Sequence, residues 1–165
     1  MDVEKLSGRY AVRALDESEA EAVLRFCEQN EPFYRYCGMK PTLDSVRRDM
    51  TEGPEGVEPA RKHYVGFLDG DQIVALMDYI EGYPDPESGY IGFFMMNISL
   101  QGRGIGSAII AEAADYLRSL GVKRLRLAIA SDNPQANHFW KKNGFRVVKA
   151  VDMGGWTALV ADRRL

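Results

Sequence analysis

Two stretches of this chain hold residue types whose spacing could do chemistry. The first is Gln101-Gly102-Arg103-Gly104-Ile105-Gly106-Ser107, set between an apolar run and a long helical pattern. Closely spaced glycines let a backbone approach a ligand and aim successive N–H groups at one point. The first turn of the following helix adds unpaired N–H groups and the positive end of its dipole. Arg103 brings a full charge on a planar donor fork. Such parts suit a pyrophosphate. A nucleotide P-loop would need Gly-Lys-Ser/Thr, and Gly106-Ser107 lacks the lysine. A dinucleotide fingerprint is the stronger rival, because Gly102-x-Gly104-x-x-Ser107 is one residue from G-x-G-x-x-G/A and Asp132 ends the next strand like a ribose-binding acid. Against it stand the serine at the third small position, the stretch Asn97–Leu100 before Gln101, and hairpins where repeated βαβ units should be.

The second stretch is Asn133-Pro-Gln-Ala136-Asn-His-Phe139-Trp140-Lys-Lys-Asn-Gly144-Phe145. Taken alone it is a capped helix that buries Phe139 and stops at Gly144. Lys141 and Lys142 add charge that could reach phosphates, although two lysines on a short helix are ordinarily solvated.

The surrounding elements must position these stretches. Tyr10–Leu15 predicts a first strand. Asp16 with Glu19 resembles a capping box that opens a helix through Ala20, Val23, Leu24 and Cys27. Residues 30–38 form an aromatic-rich loop or short helix, and Thr42 or Asp44 starts a helix running to about Met50. The runs 63–68 and 73–80 flank Asp69-Gly70-Asp71, a hairpin signal. A third run, Tyr90–Met96, precedes the glycine turn. Gly104 to Leu120 predicts one helix, with Ile105, Ile109, Ala113, Tyr116, Leu117 and Leu120 on its inner face. A strand over 124–130, a helix from Pro134 to Asn143 and strands over 145–151 and 156–161 complete the chain. The order β-α-α-β-β-β-α-β-α-β-β predicts an α/β fold, an α+β arrangement around a mixed sheet.

Composition bounds the rest. A chain of 165 residues with 45% hydrophobic and 27% charged residues predicts a single soluble domain over 1–165. No apolar run approaches the roughly 18 residues of a membrane span, and the first residues lack the pattern of a signal peptide. We therefore expect a cytoplasmic protein without membrane contact. Two cysteines, Cys27 and Cys37, and two histidines, His63 and His138, are too scattered for a metal cage, so no metal is expected. The net charge of −3 argues against a nucleic-acid partner. It hides an asymmetry: residues 1–98 hold 19 acidic and 10 basic side chains, net −9, whereas residues 99–165 hold 5 and 11, net +6. Such segregation favours an anionic ligand on one side and a cationic one on the other.

Together the two stretches resemble the GNAT superfamily of acyl-CoA-dependent N-acyltransferases. Gln101-x-x-Gly104-x-Gly106 is similar to that family's Q/R-x-x-G-x-G/A cofactor motif. Asn133-x-x-Ala136-x-x-Phe139-aromatic-x-x-x-Gly144-Phe145 is similar to its later helix motif, and the element order agrees over nearly the whole chain. The resemblance implies splayed central strands, with a bulge in the strand before the glycine turn and the pantetheine arm in the gap. Main-chain groups near Phe94, Met96 and Ile98 would bond the arm. Gln101, Gly102, Arg103, Gly104, Gly106 and Ser107 would hold the pyrophosphate of acetyl-CoA. Asn133 would bond the pantetheine amides, with Asn137 one turn on facing the same side. The acetyl-CoA core would then occupy about 90–145 and the acceptor elements mostly 1–89, which gives the charge asymmetry a reason. A homodimer is common among such proteins, but no feature of this sequence establishes one.

Acetyl transfer to an amine needs a base to free the nucleophile, a donor for the developing oxyanion and a proton for the leaving thiolate. The expected oxyanion donor is the backbone N–H at the bulge near Met96. Where the family usually has a tyrosine that protonates the thiolate, this chain has Trp140, whose indole lines or steadies but does not give up its proton. Tyr90 stands where some members place a glutamate base; it could orient a water or supply the missing acid. Asp78, Glu81, Asp85 and Glu87 are the nearby carboxylates, with Asp78 and Glu81 placed to act through water. Phe33, Tyr34, Tyr36 and Tyr83 are candidate walls for a cationic acceptor, which points to a small-molecule primary amine; a protein amine stays open. Direct transfer in a ternary complex is expected, since neither cysteine sits in an acyl-carrier motif. The alternatives are a non-catalytic acyl-CoA sensor and the dinucleotide oxidoreductase.

Overall fold

The computed structural model describes the whole chain apart from Met39 and the side chain of Cys37. Seven strands form one sheet in the order β1-β2-β3-β4-β5-β7-β6. They are β1 (Ala11–Ala14), β2 (Lys62–Asp69), β3 (Gln72–Glu81), β4 (Ser88–Met96), β5 (Arg124–Ala130), β6 (Arg146–Asp152) and β7 (Thr157–Arg164). All neighbours are antiparallel except β4 and β5. The expected mixed sheet is present, with one helix more than the sequence order contained. That addition is α2 (Glu31–Cys37), between α1 (Ala20–Glu28) and α3 (Leu43–Thr51). Its Pro32 sits in the first turn, where no amide hydrogen bond is lost, and Gly38 closes it at φ +65°.

Both faces of the sheet are covered. On one, α4 (Ile105–Ser119) lays Ile109, Ile110, Ala113 and Leu117 against Phe67, Met77, Tyr79 and Leu127. Leu120, expected on this inner face, is the residue after the last helical turn and is exposed. On the other, α1 and α3 bury Val23, Phe26, Val46 and Met50 with Tyr64, Leu76 and Met95. Strand β3 is buried from Val74 through Ile80 for this reason, without the alternation of a half-exposed strand. Thr42 rather than Asp44 caps α3: its side chain accepts from the Ser45 N–H, and the Asp16–Glu19 box forms as expected.

The sheet opens at its centre. β5 pairs with β4 only at Ser88, Gly89 and Tyr90, and then the two strands diverge. The β3–β4 register jumps from Tyr79↔Ile91 to Asp78↔Phe93, which leaves Gly92 as a bulged residue. The bulge therefore lies at Gly92 and not near Met96. Asn97 N–H donates to the Val74 carbonyl at 2.8 Å. In an antiparallel ladder such pairs alternate, so Phe94 and Met96 turn their N–H and C=O groups away from β3 and into the gap.

Candidate acetyl-CoA cleft

A cavity of about 410 Å³ occupies that gap. Its floor is the outer edge of β4 from Phe94 to Met96. One end is the turn from Ile98 to Ser107, and its far wall is α5 (Pro134–Lys142). An edge with outward N–H groups at Phe94 and Met96 and an outward C=O at Phe94 can take an amide-bearing chain as it would take a strand. Gly102 and Gly104 carry the turn at φ +75° and +79°, a region that costs a side chain about 1–2 kcal/mol. Gly104 is also the N-cap of the 15-residue helix α4, so the first amides of that helix face the cavity beside Ser107. Gly106 has a different reason: a Cβ there would meet Met96 and Phe139 at 3.2 Å, and its absence lets α4 approach both.

Phe94, Met96, Ile98, Gln101, Gly102, Gly104, Gly106, Ser107, Asn133 and Trp140 of the sequence-derived cofactor set all line this cavity. Arg103 and Asn137 do not. Arg103 is exposed at the rim of the turn. Asn137 turns inward, its Nδ2 donating to the carbonyls of Ala130, Ser131 and Asn133 at 3.1, 3.3 and 2.7 Å, so it holds the strand-to-helix turn. Asn133 caps α5 through its Oδ1, which accepts the Ala136 N–H at 2.9 Å. The Gln101 amide is engaged too: its Nε2 donates to Asn30 Oδ1 at 2.8 Å and to the Met96 carbonyl at 3.2 Å, and its Oε1 accepts from Gln135. Gln101 thus ties the end of β4 to α2 and α5 where the sequence placed it on pyrophosphate. Trp140 is buried and packs edge-on against Phe94, Phe139 and Phe145. Asn30 and Gln135 carried no sequence signal for this cleft, since the Asn30 contact joins residues 71 positions apart.

The acceptor-side residues divide. Phe33 lines the cavity and packs edge-on against Phe93 and Tyr34. Tyr34 is half-buried behind it, and burial beside Cys27 pushes its phenol above the ordinary range. Tyr36 is half-buried on α2 and outside the cavity lining. Tyr83 meets Tyr90 edge-on at 5.5 Å, and this pair stands where β4 and β5 begin to part. Burial also raises the Tyr90 phenol, which keeps it protonated and unsuited to act as a base.

Glu81 is placed elsewhere. Its Oε1 takes the Met1 ammonium at 2.8 Å and His63 Nε2 at 2.6 Å, and it pairs with Gly89 on the closed side of the gap. Five residues of strand separate Gly89 from Phe94, the nearer of the two outward-facing positions, roughly 16 Å at 3.3 Å per residue. Glu81 is therefore a structural tie and not a base at the cleft. Asp85 and Glu87 are likewise spent on Arg124 and Lys123. Among the described residues no group of His, Cys, Asp and Glu could hold a metal ion, and no helix is long and apolar enough to cross a membrane.

The sequence model of the acetyltransferase (GNAT) family matches residues 23–145, most of the chain. The chain belongs to the GNAT acetyltransferase family. Acetyltransferases of this family take acetyl-CoA as cosubstrate, and the cleft has the backbone edge, glycine turn and helix start that such a molecule requires. The dinucleotide reading is set aside, because the sheet has a single parallel pair and lacks repeated βαβ units. Over 107 residues the GNAT chain is 32% identical to a mycothiol acetyltransferase of Beutenbergia cavernae, covering 65% of this chain and 35% of that protein. A second curated relative, YxbD of Bacillus subtilis, is 30% identical over half of each chain. The chain thus spans a third to a half of the curated relatives that it matches. An acetyltransferase from Thermus thermophilus superimposes with a TM-score of 0.73 at 27% identity, covering 93% of this chain and 96% of that one. The PaiA N-acetyltransferase of Thermoplasma acidophilum, solved with coenzyme A, shares the fold at a TM-score of 0.68, 13% identity and coverage of 93% and 98%.

Proposed function

We propose that this chain is an N-acetyltransferase that moves acetyl from acetyl-CoA directly to a primary amine of a small molecule. The observation that carries the reading is the gap beside β4. Two outward-facing backbone positions, Phe94 and Met96, lead into it from the glycine turn at the start of α4. With the pyrophosphate held at Gly102 to Ser107, the arm runs back along β4 toward the vertex. Met96 then bonds the arm, and Phe94, the deeper of the two, offers its N–H to the thioester carbonyl oxygen. An aligned N–H of this kind is worth about 3–4 kcal/mol to the developing oxyanion. This moves the oxyanion donor two residues inward from Met96. Arg103 stands free at the rim to meet phosphate, and Lys142 faces the cavity while Lys141 does not.

Direct transfer is supported by Cys27, the described cysteine thiol. It is buried, and desolvation pushes its pKa up to about 11, which keeps it protonated and non-nucleophilic. The acceptor enters from the side of α2, where Phe33, Tyr34 and Phe93 form an aromatic wall. Tyr83 and Tyr90 line the approach near the vertex. An aromatic surface on the acidic half of the chain favours a cation. The test is thiol release from acetyl-CoA with a panel of diamines, aminoglycosides, amino acids and an N-terminal peptide. Turnover with a small amine supports the reading. Turnover with the peptide alone would transfer the activity to protein substrates, and tight acetyl-CoA binding without release would favour an acyl-CoA sensor.

A further inference from the structure

The centre of β3 carries a carboxylate outside the cavity lining. Asp78 is 8% exposed, in a strand otherwise filled by Leu76, Met77, Tyr79 and Ile80. Its Oδ1 lies 2.7 Å from the ammonium of Lys62, itself buried on β2, yet is not in line for a proper hydrogen bond. Its Oδ2 takes no hydrogen bond among the described residues and points across to β4. A Cβ at position 92 would sit 2.5 Å from that oxygen. Gly92 is the bulged residue and is exposed, so no side chain stands between it and Asp78 Oδ2. The neighbouring position is Phe93, and the next is Phe94, whose N–H faces the gap. Asp49 of α3 lies near enough for its charge to act on both Lys62 and Asp78. One lysine thus faces two carboxylates, and the group holds one negative charge in excess when all three are ionised.

Burying a paired charge is costly, and replacement of such a pair by apolar residues is often neutral or stabilising. The pair here is mounted opposite a bulge, under a glycine that only clearance for the carboxylate requires. We infer that Asp78 receives the acceptor's ammonium at Gly92 and takes its proton, with Lys62 and Asp49 setting its position and charge. The inference rests on the acetyltransferase reading of the same cleft. One proton of the R–NH3⁺ group passes to Asp78 Oδ2, and the freed lone pair forms the C–N bond at the thioester carbon as the C–S bond breaks. The nitrogen's second proton leaves with the thiolate as coenzyme A thiol, and Asp78 returns its proton to solvent. Atoms and charge balance as R–NH3⁺ plus thioester giving amide, thiol and H⁺. Desolvation raises the Asp78 carboxyl and Lys62 opposes that rise, which brings it nearer to a working proton acceptor. The other titratable groups around it are His63 and Tyr64 on β2, Asp49 on α3 and Tyr90 on β4.

The test compares the full chain with Asp78→Asn, using acetyl-CoA and the best amine of the panel. Loss of a general base predicts a kcat/KM for the amine about 10²–10⁴-fold lower, with acetyl-CoA affinity held within about twofold. The residual rate should climb tenfold per pH unit toward the amine's own pKa, where the wild type is flat around neutrality. A merely structural Asp78 would not change that profile. Gly92→Ala gives an independent reading, since the added methyl displaces the carboxylate without removing it, and should lower kcat/KM for the amine alone. If Asp78→Asn does not fold, this second variant decides. Wild-type rates and profiles in the folded variants would overturn the role of Asp78 and leave the acetyltransferase reading intact. A wild type that releases no thiol with any amine would overturn the reading, and this inference with it.

Discussion

Position 104 separates two demands on one residue. Its φ of +79° favours glycine, while open space around it would admit a side chain. Gly104→Asp should therefore fold, at a strain of about 1–2 kcal/mol. It would nevertheless set a negative charge against pyrophosphate at the start of α4. At about 4 Å and an intermediate dielectric that repulsion is about 4 kcal/mol, so acetyl-CoA affinity should fall at least about 100-fold. Calorimetric titration checks this, with a melting curve as the control for folding. Tyr90→Phe should behave differently, because its phenol is at the vertex and away from the phosphate end. We expect turnover to fall about tenfold with cofactor affinity unchanged, as steady-state kinetics would show. The sequence marked Asp78 and Glu81 alike as carboxylates on or ending a strand. Only the register, with its jump at Gly92, sets Asp78 across from the bulge and Glu81 across from Gly89 on the closed side.

At the scale of elements, α5 is held to β5 by Asn137 as much as by its N-cap. Asn137→Ala removes bonds to three carbonyls and should cost about 1–3 kcal/mol. Because the freed turn carries Asn133 and the cavity wall, acetyl-CoA affinity should weaken as well, and melting and titration together would show both effects. Hydrophobic patterning was enough to find β2, β3 and β4, as apolar runs bounded by turn signals, and α4, whose apolar positions repeat with a helical period. It could not decide α2, where Phe33, Tyr34 and Tyr36 serve a loop equally well and the deciding contacts come from β4. Nor could it separate polar from apolar faces in β3, since helices cover both. The glycine turn and the Asn133 helix were legible because their backbone conformations restrict residue type. The Gln101–Asn30 link was not, because it depends on two distant segments meeting.

Across the molecule, the N-terminal segment is fastened to α4 through the Asp2 N–H, which donates to Tyr116 Oη, and through the Glu112 carboxylate. Glu112 accepts from Ser7 Oγ at 2.6 Å and from the Gly8 N–H at 3.0 Å, and pairs with Arg9. Burial alone would raise its pKa, but these donors outweigh it and hold the carboxyl below the usual range. A carboxyl lowered in the folded state contributes stability above its unfolded pKa of about 4.3 and loses it as pH falls through the lower folded value. The melting temperature should accordingly drop below about pH 4.3, and Glu112→Gln should be less stable at neutral pH with a shallower acid limb. The charge asymmetry reads out at the same scale: the basic half supplies the glycine turn and α5, and the acidic half supplies Asp78, Asp49 and the aromatic wall. Binding of acetyl-CoA in the gap beside β4 is tested by a calorimetric titration of the purified chain with acetyl-CoA, with NAD as the parallel ligand. We predict one site of micromolar affinity for acetyl-CoA, lost in Gly104→Asp, and no heat with NAD. A folded protein giving no acetyl-CoA heat at several temperatures, or an unchanged affinity in Gly104→Asp, would contradict binding in the gap.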